Sequence, residues 1–377
     1  MEIIRSVTTP TIQKPPRMQW IDAMRGFTML MVVAYHVSLI SFGETPKTSA
    51  AMSLLVLFRM PLFFFVSGFV AYKATFSWSI SDTAHLLWKK IQIQIVPTAV
   101  FLCAYLVIRR NDFTASLAEA IQSPYKFGYW FTLTLLYMFV CYYIISMLIR
   151  KMPHQNLIWT AIWIASIGLY ATAYMPRYFT YPQATFMKTT SLIQLIIYFH
   201  FFLAGNLAHR YWRRLQQLFD SKWFFPLLCL IAFASCADIL RWHTMRMMWT
   251  NLPRTLAMYT TMTIVLMFFR HYEQSFTKQT HLGRTLQYIG TRTLDVYLLH
   301  YIFLPVMPFM GEWFNHNRPN FVLSIVSSVS IAAAVIFFCL VTSNLLRISP
   351  LYSEHLFGRR EPSSPPQPEQ QSSQPQP

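Results

Sequence analysis

About ten stretches of this chain are apolar and nearly free of charge, at roughly 27–42, 52–72, 91–108, 129–149, 157–174, 190–208, 224–239, 253–270, 292–310 and 321–346. Hydrocarbon gives backbone N–H and C=O groups no water to bond, so such stretches must satisfy those groups internally, as helices. The expectation is an all-α, polytopic membrane protein of about ten transmembrane helices. Composition agrees. The chain is 54% hydrophobic and 12% charged, where a soluble globule carries roughly 25% charged residues, and its mean hydropathy is +0.36.

The net charge of +17 is not a nucleic-acid signature, because the basic residues stand at the ends of the apolar stretches rather than on one soluble face. They read as topology signals and as contacts to anionic lipid or an anionic ligand. Counted loop by loop, Lys and Arg favour one side about two to one, which places both the N- and C-termini in the cytoplasm. Three segments follow: a cytoplasmic N-terminal piece (1–18), a membrane domain (19–350) and a tail (351–377). The tail is rich in Pro, Gln and Ser and has little to bury, so it is expected to be disordered. No cleavable signal peptide is visible, and the first apolar run reads as a retained span. The five cysteines lack C-x-x-C spacing and read as packing residues. No His/Cys/Asp/Glu cluster has metal-ligand spacing.

Charge inside a span is costly and is the best guide to function. In the first span Asp22, Arg25 and His36 share one helical face. Arg25 and His36 lie about 16 Å apart along the axis. A neutral imidazole at that depth can take a proton from a hydroxyl and return it to a leaving group. The plainer alternative is a structural histidine bonded to a neighbouring helix. Glu44 reaches that imidazole only if the helix ends and the chain folds back. Arg59, just before Pro61 in the second span, is either an anion contact in the interior or a side chain snorkelling to the interface. Lys73, Lys89 and Lys90 form a basic cluster that suits the phosphates of a nucleotide-like donor, or simply marks the cytoplasmic side. Trp130 opens the fourth span as a belt residue or a pocket wall. Asp295, Tyr297 and His300 fall together on a late span, His300 being a second site group or a buried, hydrogen-bonded residue. His200 reads as structural.

Three segments in order resemble the acyltransferase 3 family of integral membrane O-acyltransferases. They are D-A-M-R-G with the later Y-H, the run M-P-L-F-F-F-V-S-G, and I-G-T-R-T-L-D-V-Y-L-L-H. The weaker Y-F-H-F-F-L-A-G-N-L is similar to a fourth family segment, and the likeness covers roughly 18–346. The resemblance implies transfer of an acyl group, acetyl foremost, from cytoplasmic acyl-CoA to a hydroxyl of a carbohydrate. Acetyl-CoA would be a co-substrate, with no bound cofactor. The acceptor would be a surface glycan or its lipid-linked precursor, and the location the bacterial cytoplasmic (inner) membrane. It makes His36 the base or acyl relay, puts Arg25 on the donor side, and matches Lys89 and Lys90 to a basic cluster. Two positions depart from the family pattern: Pro61 stands where many members have aspartate, and Gln94 where many have arginine. A transporter of a lipid-linked or acidic glycan intermediate is the rival reading, and a non-catalytic scaffold the third.

Overall fold

The computed structural model describes residues 18–46, 49–73, 76, 78–173, 185–241, 251–317 and 321–349. The N-terminal piece up to Arg17, the tail and several residues of the charge count (Lys47, Arg177, Arg246 and Arg318 among them) lie outside the described residues. Every regular element among the described residues is helical. Among the described residues, seven helices are long and apolar enough to cross a membrane, and up to nine when each of two bent pairs is one span. The chain is a multi-pass membrane protein.

Helix α1 (Gln19–His36) continues as a π turn (Val37–Ser41), and α2 (Ala50–Ala71) runs back beside it. Then come α3 (Ile80–Lys90) and α4 (Val96–Arg109), joined by a second π turn, α5 (Phe113–Gln122) and α6 (Trp130–Ile149). Next are α7 (Gln155–Ala173), the short α8 (Thr185–Thr189) and α9 (Leu192–Arg210). The chain closes with α10 (Trp212–Phe219), α11 (Phe224–Arg241), α12 (Asn251–His271), α13 (His281–Thr291), α14 (Thr293–Phe303), α15 (Pro308–His316) and α16 (Phe321–Leu346). Several helix starts carry their own caps. Ser49, Ser79, Asp112 and Thr280 each accept a backbone N–H from the first turn.

Two helix crossings hold the bundle together, and glycine makes both possible. At the α1–α13 crossing, a Cβ on Gly26 would lie 1.9 Å from the Leu286 carbonyl oxygen, and one on Gly290 1.8 Å from that of Asp22. At the α2–α9 crossing, a Cβ on Gly68 would meet the Phe202 oxygen at 1.8 Å, and one on Gly205 the Phe65 oxygen at 1.8 Å. Lipid is as apolar as leucine, so helices in a bilayer associate by such close backbone packing. The glycines of the D-A-M-R-G, M-P-L-F-F-F-V-S-G, I-G-T-R-T-L-D-V-Y-L-L-H and Y-F-H-F-F-L-A-G-N-L segments are thus contact points of the scaffold.

The expected single span at 292–310 is broken. Helix α14 has 11 residues, about 16 Å, half of a bilayer core. The chain then turns 88° into α15. Pro305 forces extended backbone on Leu304, and Pro308 starts the next helix. Backbone groups freed by the break find partners: the Arg109 guanidinium donates to the Leu304 carbonyl, and Met307 N–H donates to Ser41 O at 2.9 Å. The break therefore leans on the π turn that follows His36. The predicted span at 224–239 is likewise one arm of a bent pair, turned 84° from α10.

Candidate active site

His36, at the end of α1, meets α14 through two consecutive residues. Its Nδ1 is 3.1 Å from His300 Nε2, and its Nε2 is 3.1 Å from the Tyr301 hydroxyl. The hydrogen-bond network assigns the tautomers. His300 Nδ1 lies 3.0 Å from Val296 O and 2.9 Å from Tyr297 O, which only accept, so Nδ1 carries the proton. In neutral His300, Nε2 is then an acceptor, and His36 Nδ1 must donate to it. That leaves a lone pair on His36 Nε2, facing the Tyr301 hydroxyl. His300 thus fixes the tautomer and ring orientation of His36, the part an acidic residue plays in a hydrolase triad.

The loop before α6 shapes the same spot. Lys126, Phe127 and Gly128 are successive residues with positive φ, strained for the first two. The Lys126 ammonium holds the turn by donating to Ile121 O at 2.9 Å and Thr189 O at 2.8 Å. Desolvation there lowers the Lys126 pKa from the ordinary lysine value. Gly128 has φ +102°, and a Cβ on it would lie 2.0 Å from the Tyr301 hydroxyl. Only glycine lets Tyr301 stand where it meets His36. The Tyr297 hydroxyl donates to Gly128 O at 3.0 Å and accepts from Phe131 N–H at 3.2 Å.

His36 and Tyr301 open onto a cavity of about 700 Å³, called the far cavity. Arg59 lines it, 9% exposed, with its guanidinium 3.6 Å from the centre of the Tyr35 ring and its buried Nε lacking a hydrogen-bond partner. Trp130 and Tyr198, stacked 5.7 Å apart, Arg110, Arg254 and Glu119 complete its character. A near cavity of about 360 Å³ lies toward the start of α1 and is lined by Arg25, Lys73, Lys90 and Gln94, with no carboxylate among the described residues. Arg25 donates to Thr293 Oγ1 at 3.1 Å and pairs with Asp22 at 3.5 Å. Desolvation, with the like charge of Lys89 added, lowers the Lys73 pKa from the ordinary lysine value.

Met29, Phe63, Phe131 and Tyr297 line both cavities and form the wall between them. The rings of Phe63 and Phe131 meet at 5.7 Å, and those of Phe131 and Tyr297 at 5.5 Å. On α1, Arg25, Met29, Val32 and His36 follow one another at helical spacing, from one cavity through the wall to the other.

A model of an acyltransferase domain, that of the acyltransferase 3 family, matches residues 18–344. The chain belongs to this family and is an acyltransferase. Neither a curated protein nor a solved structure matches it.

Of the residues singled out in the sequence, His36, Arg59, Trp130 and Tyr297 line the far cavity, and His300 holds His36. Arg25, Lys73 and Lys90 line the near one. Four fall elsewhere. Asp295 accepts from Arg347 at 2.6 Å and from Ser343 at 2.7 Å, tying α14 to α16 away from both cavities. Glu44 is buried and accepts from Ser324 at 3.3 Å, while the imidazole nitrogen it was to orient is taken by His300. Lys89 is exposed beside Lys90 and lines neither cavity. Asp22 supports Arg25 rather than facing a cavity. His200 bonds the Tyr259 hydroxyl at 2.9 Å within the bundle. The sequence reading missed Tyr301 and Gly128. Tyr301 directly follows His300, and Gly128 directly precedes the aromatic run that opens α6, so adjacency was the available signal.

Proposed function

We propose that this acyltransferase moves an acyl group, acetyl foremost, from acyl-CoA to a hydroxyl of a carbohydrate, as a surface glycan or its lipid-linked precursor. The observation that carries the reading is His36, held by His300 with its Nε2 lone pair turned to the Tyr301 hydroxyl at the edge of a large cavity, one wall away from a basic cavity. Acyl-CoA would enter the near cavity, its phosphates drawn by Arg25, Lys73, Lys90 and the flanking Lys89. The acceptor would occupy the far cavity, where aromatic faces suit the C–H faces of a sugar ring.

In the transfer, His36 Nε2 takes the proton of the acceptor hydroxyl as its oxygen bonds the thioester carbon. Arg59 offsets the negative charge on the tetrahedral oxygen. The carbon–sulfur bond then breaks, and His36 returns the proton to the CoA sulfur. As an acyl relay, His36 would bond the acyl carbon itself before passing it on. With the start of α1 and both termini in the cytoplasm, donor and acceptor would approach from opposite faces of the bacterial inner membrane.

The test is CoA release from labelled acetyl-CoA by the full chain in nanodiscs, beside His36→Ala. Loss of release in a folded variant supports the reading. Equal rates overturn it and favour carriage of an intact glycan intermediate through the same cavities.

A further inference from the structure

A third cavity, of about 450 Å³, lies on the near side, and Lys73 belongs to both it and the near cavity. Among the described residues, four cations line it, Lys73, Arg150, Lys151 and Arg210, and no carboxylate does. Two of its cations are held in place. Arg150 donates to Trp78 O at 2.8 Å. Arg210 donates through Nε to Asn206 Oδ1 at 2.9 Å and through Nη1 to Asn156 Oδ1 at 3.2 Å. The Arg210 guanidinium lies over the Tyr72 ring at 4.7 Å and the Trp159 ring at 5.3 Å. Trp78 and Trp159 add indole walls, both buried.

Prealigned guanidinium groups beside aromatic faces are the recognition chemistry of a nucleotide. Arginine forks match phosphate oxygens, and a purine stacks on an aromatic side chain. The near cavity is too small to hold a whole CoA, and Lys73 connects it to this second chamber. We infer that the chamber around Arg150 and Arg210 binds the adenosine 3′,5′-bisphosphate end of the donor, while the near cavity holds the remaining phosphate against Arg25 and Lys90, with the pantetheine arm and thioester. The inference rests on the acyl-CoA reading above. It assigns nucleotide recognition to the ends of α6 and α9 rather than to the lysines before α4.

Donors with and without the nucleotide decide it. The full chain in nanodiscs is given acetyl-CoA or S-acetylpantetheine, which lacks the bisphosphate. Arg150→Ala with Arg210→Ala raises KM for acetyl-CoA by about tenfold or more, the loss of charge-assisted bonds, and leaves S-acetylpantetheine unchanged. Lys151→Glu, on an exposed side chain, acts in the same direction without disturbing packing. Binding of 3′,5′-ADP alone, followed by calorimetry, weakens in the same variants. Equal effects on both donors, or undiminished 3′,5′-ADP binding, overturn the assignment. Calorimetry separates the two readings. A wild type that binds 3′,5′-ADP at this chamber yet releases no CoA retains the site and loses the acyl-transfer reaction.

Discussion

The near and far cavities meet at one wall and are built from different chemistry. The near one offers fixed cations, Arg25, Lys73 and Lys90, with no carboxylate among the described residues of its walls. The far one has nearly twice the volume, a large aromatic share and the histidine His36, whose second nitrogen is spoken for by His300. Fixed charge holds an anion but moves no proton. An imidazole with one nitrogen committed to His300 and a lone pair on the other moves a proton but holds little. The division separates holding the donor from carrying out the transfer, and substitutions on the two sides of the wall should separate KM from kcat.

The largest effect is expected from His36→Ala. CoA release falls by about 10²–10⁴-fold, the range for loss of a general base, while CoA binding by calorimetry is retained. Equal loss of binding would erase the division. His300→Leu lowers kcat about 10–100-fold with KM unchanged. His300→Gln, whose carbonyl can still accept from His36 Nδ1, recovers part of it. Without that recovery, His300 is merely packing. Arg25→Ala on the other side raises donor KM about tenfold, as expected for a charge-assisted bond, and leaves kcat alone, read in initial-rate kinetics.

Met29→Trp tests the wall itself. It should block transfer with donor binding intact, because Met29 is the member of the wall that stands between Arg25 and His36 on α1. The smallest effect is on pH dependence. Burial and Lys89 lower the Lys73 pKa, so its charge is lost earlier as pH rises than that of a free lysine, near 10.4. Donor KM therefore climbs at alkaline pH, and Lys89→Gln moves that climb to higher pH.

Helical class, membrane residence and the two most expensive polar side chains, Arg59 and His36, were legible in the sequence. A twenty-residue apolar run has few ways to satisfy its backbone, and a charge within it is conspicuous. The broken span at α14 was written in Pro305 and Pro308, three residues apart, but hydropathy averages across such a break. Partner choice was not legible. Asp295 sits in the first turn of α14, where the helix dipole favours an acid, yet only the packing of α16 brings Arg347 to it. Glu44 was the candidate to orient His36, and His300, read as a second site group or a buried residue, takes that place instead. The bend at Leu304 decides between them, because it seats α14 against the π turn. The basic chamber is formed by the ends of helices far apart in sequence, and no local pattern announces it.

The glycine crossing between Gly26 and Gly290 also sets a clock. These residues are 264 positions apart, and ribosomes add about 5–20 residues per second. For tens of seconds α1 waits in the bilayer without the helix that covers its Asp22–Arg25 end, and His36 waits equally long for His300. The newborn first helix carries polar groups in search of shelter throughout synthesis. Anything that delays the final third of the chain lengthens the interval in which quality control meets a charged helix without its partner.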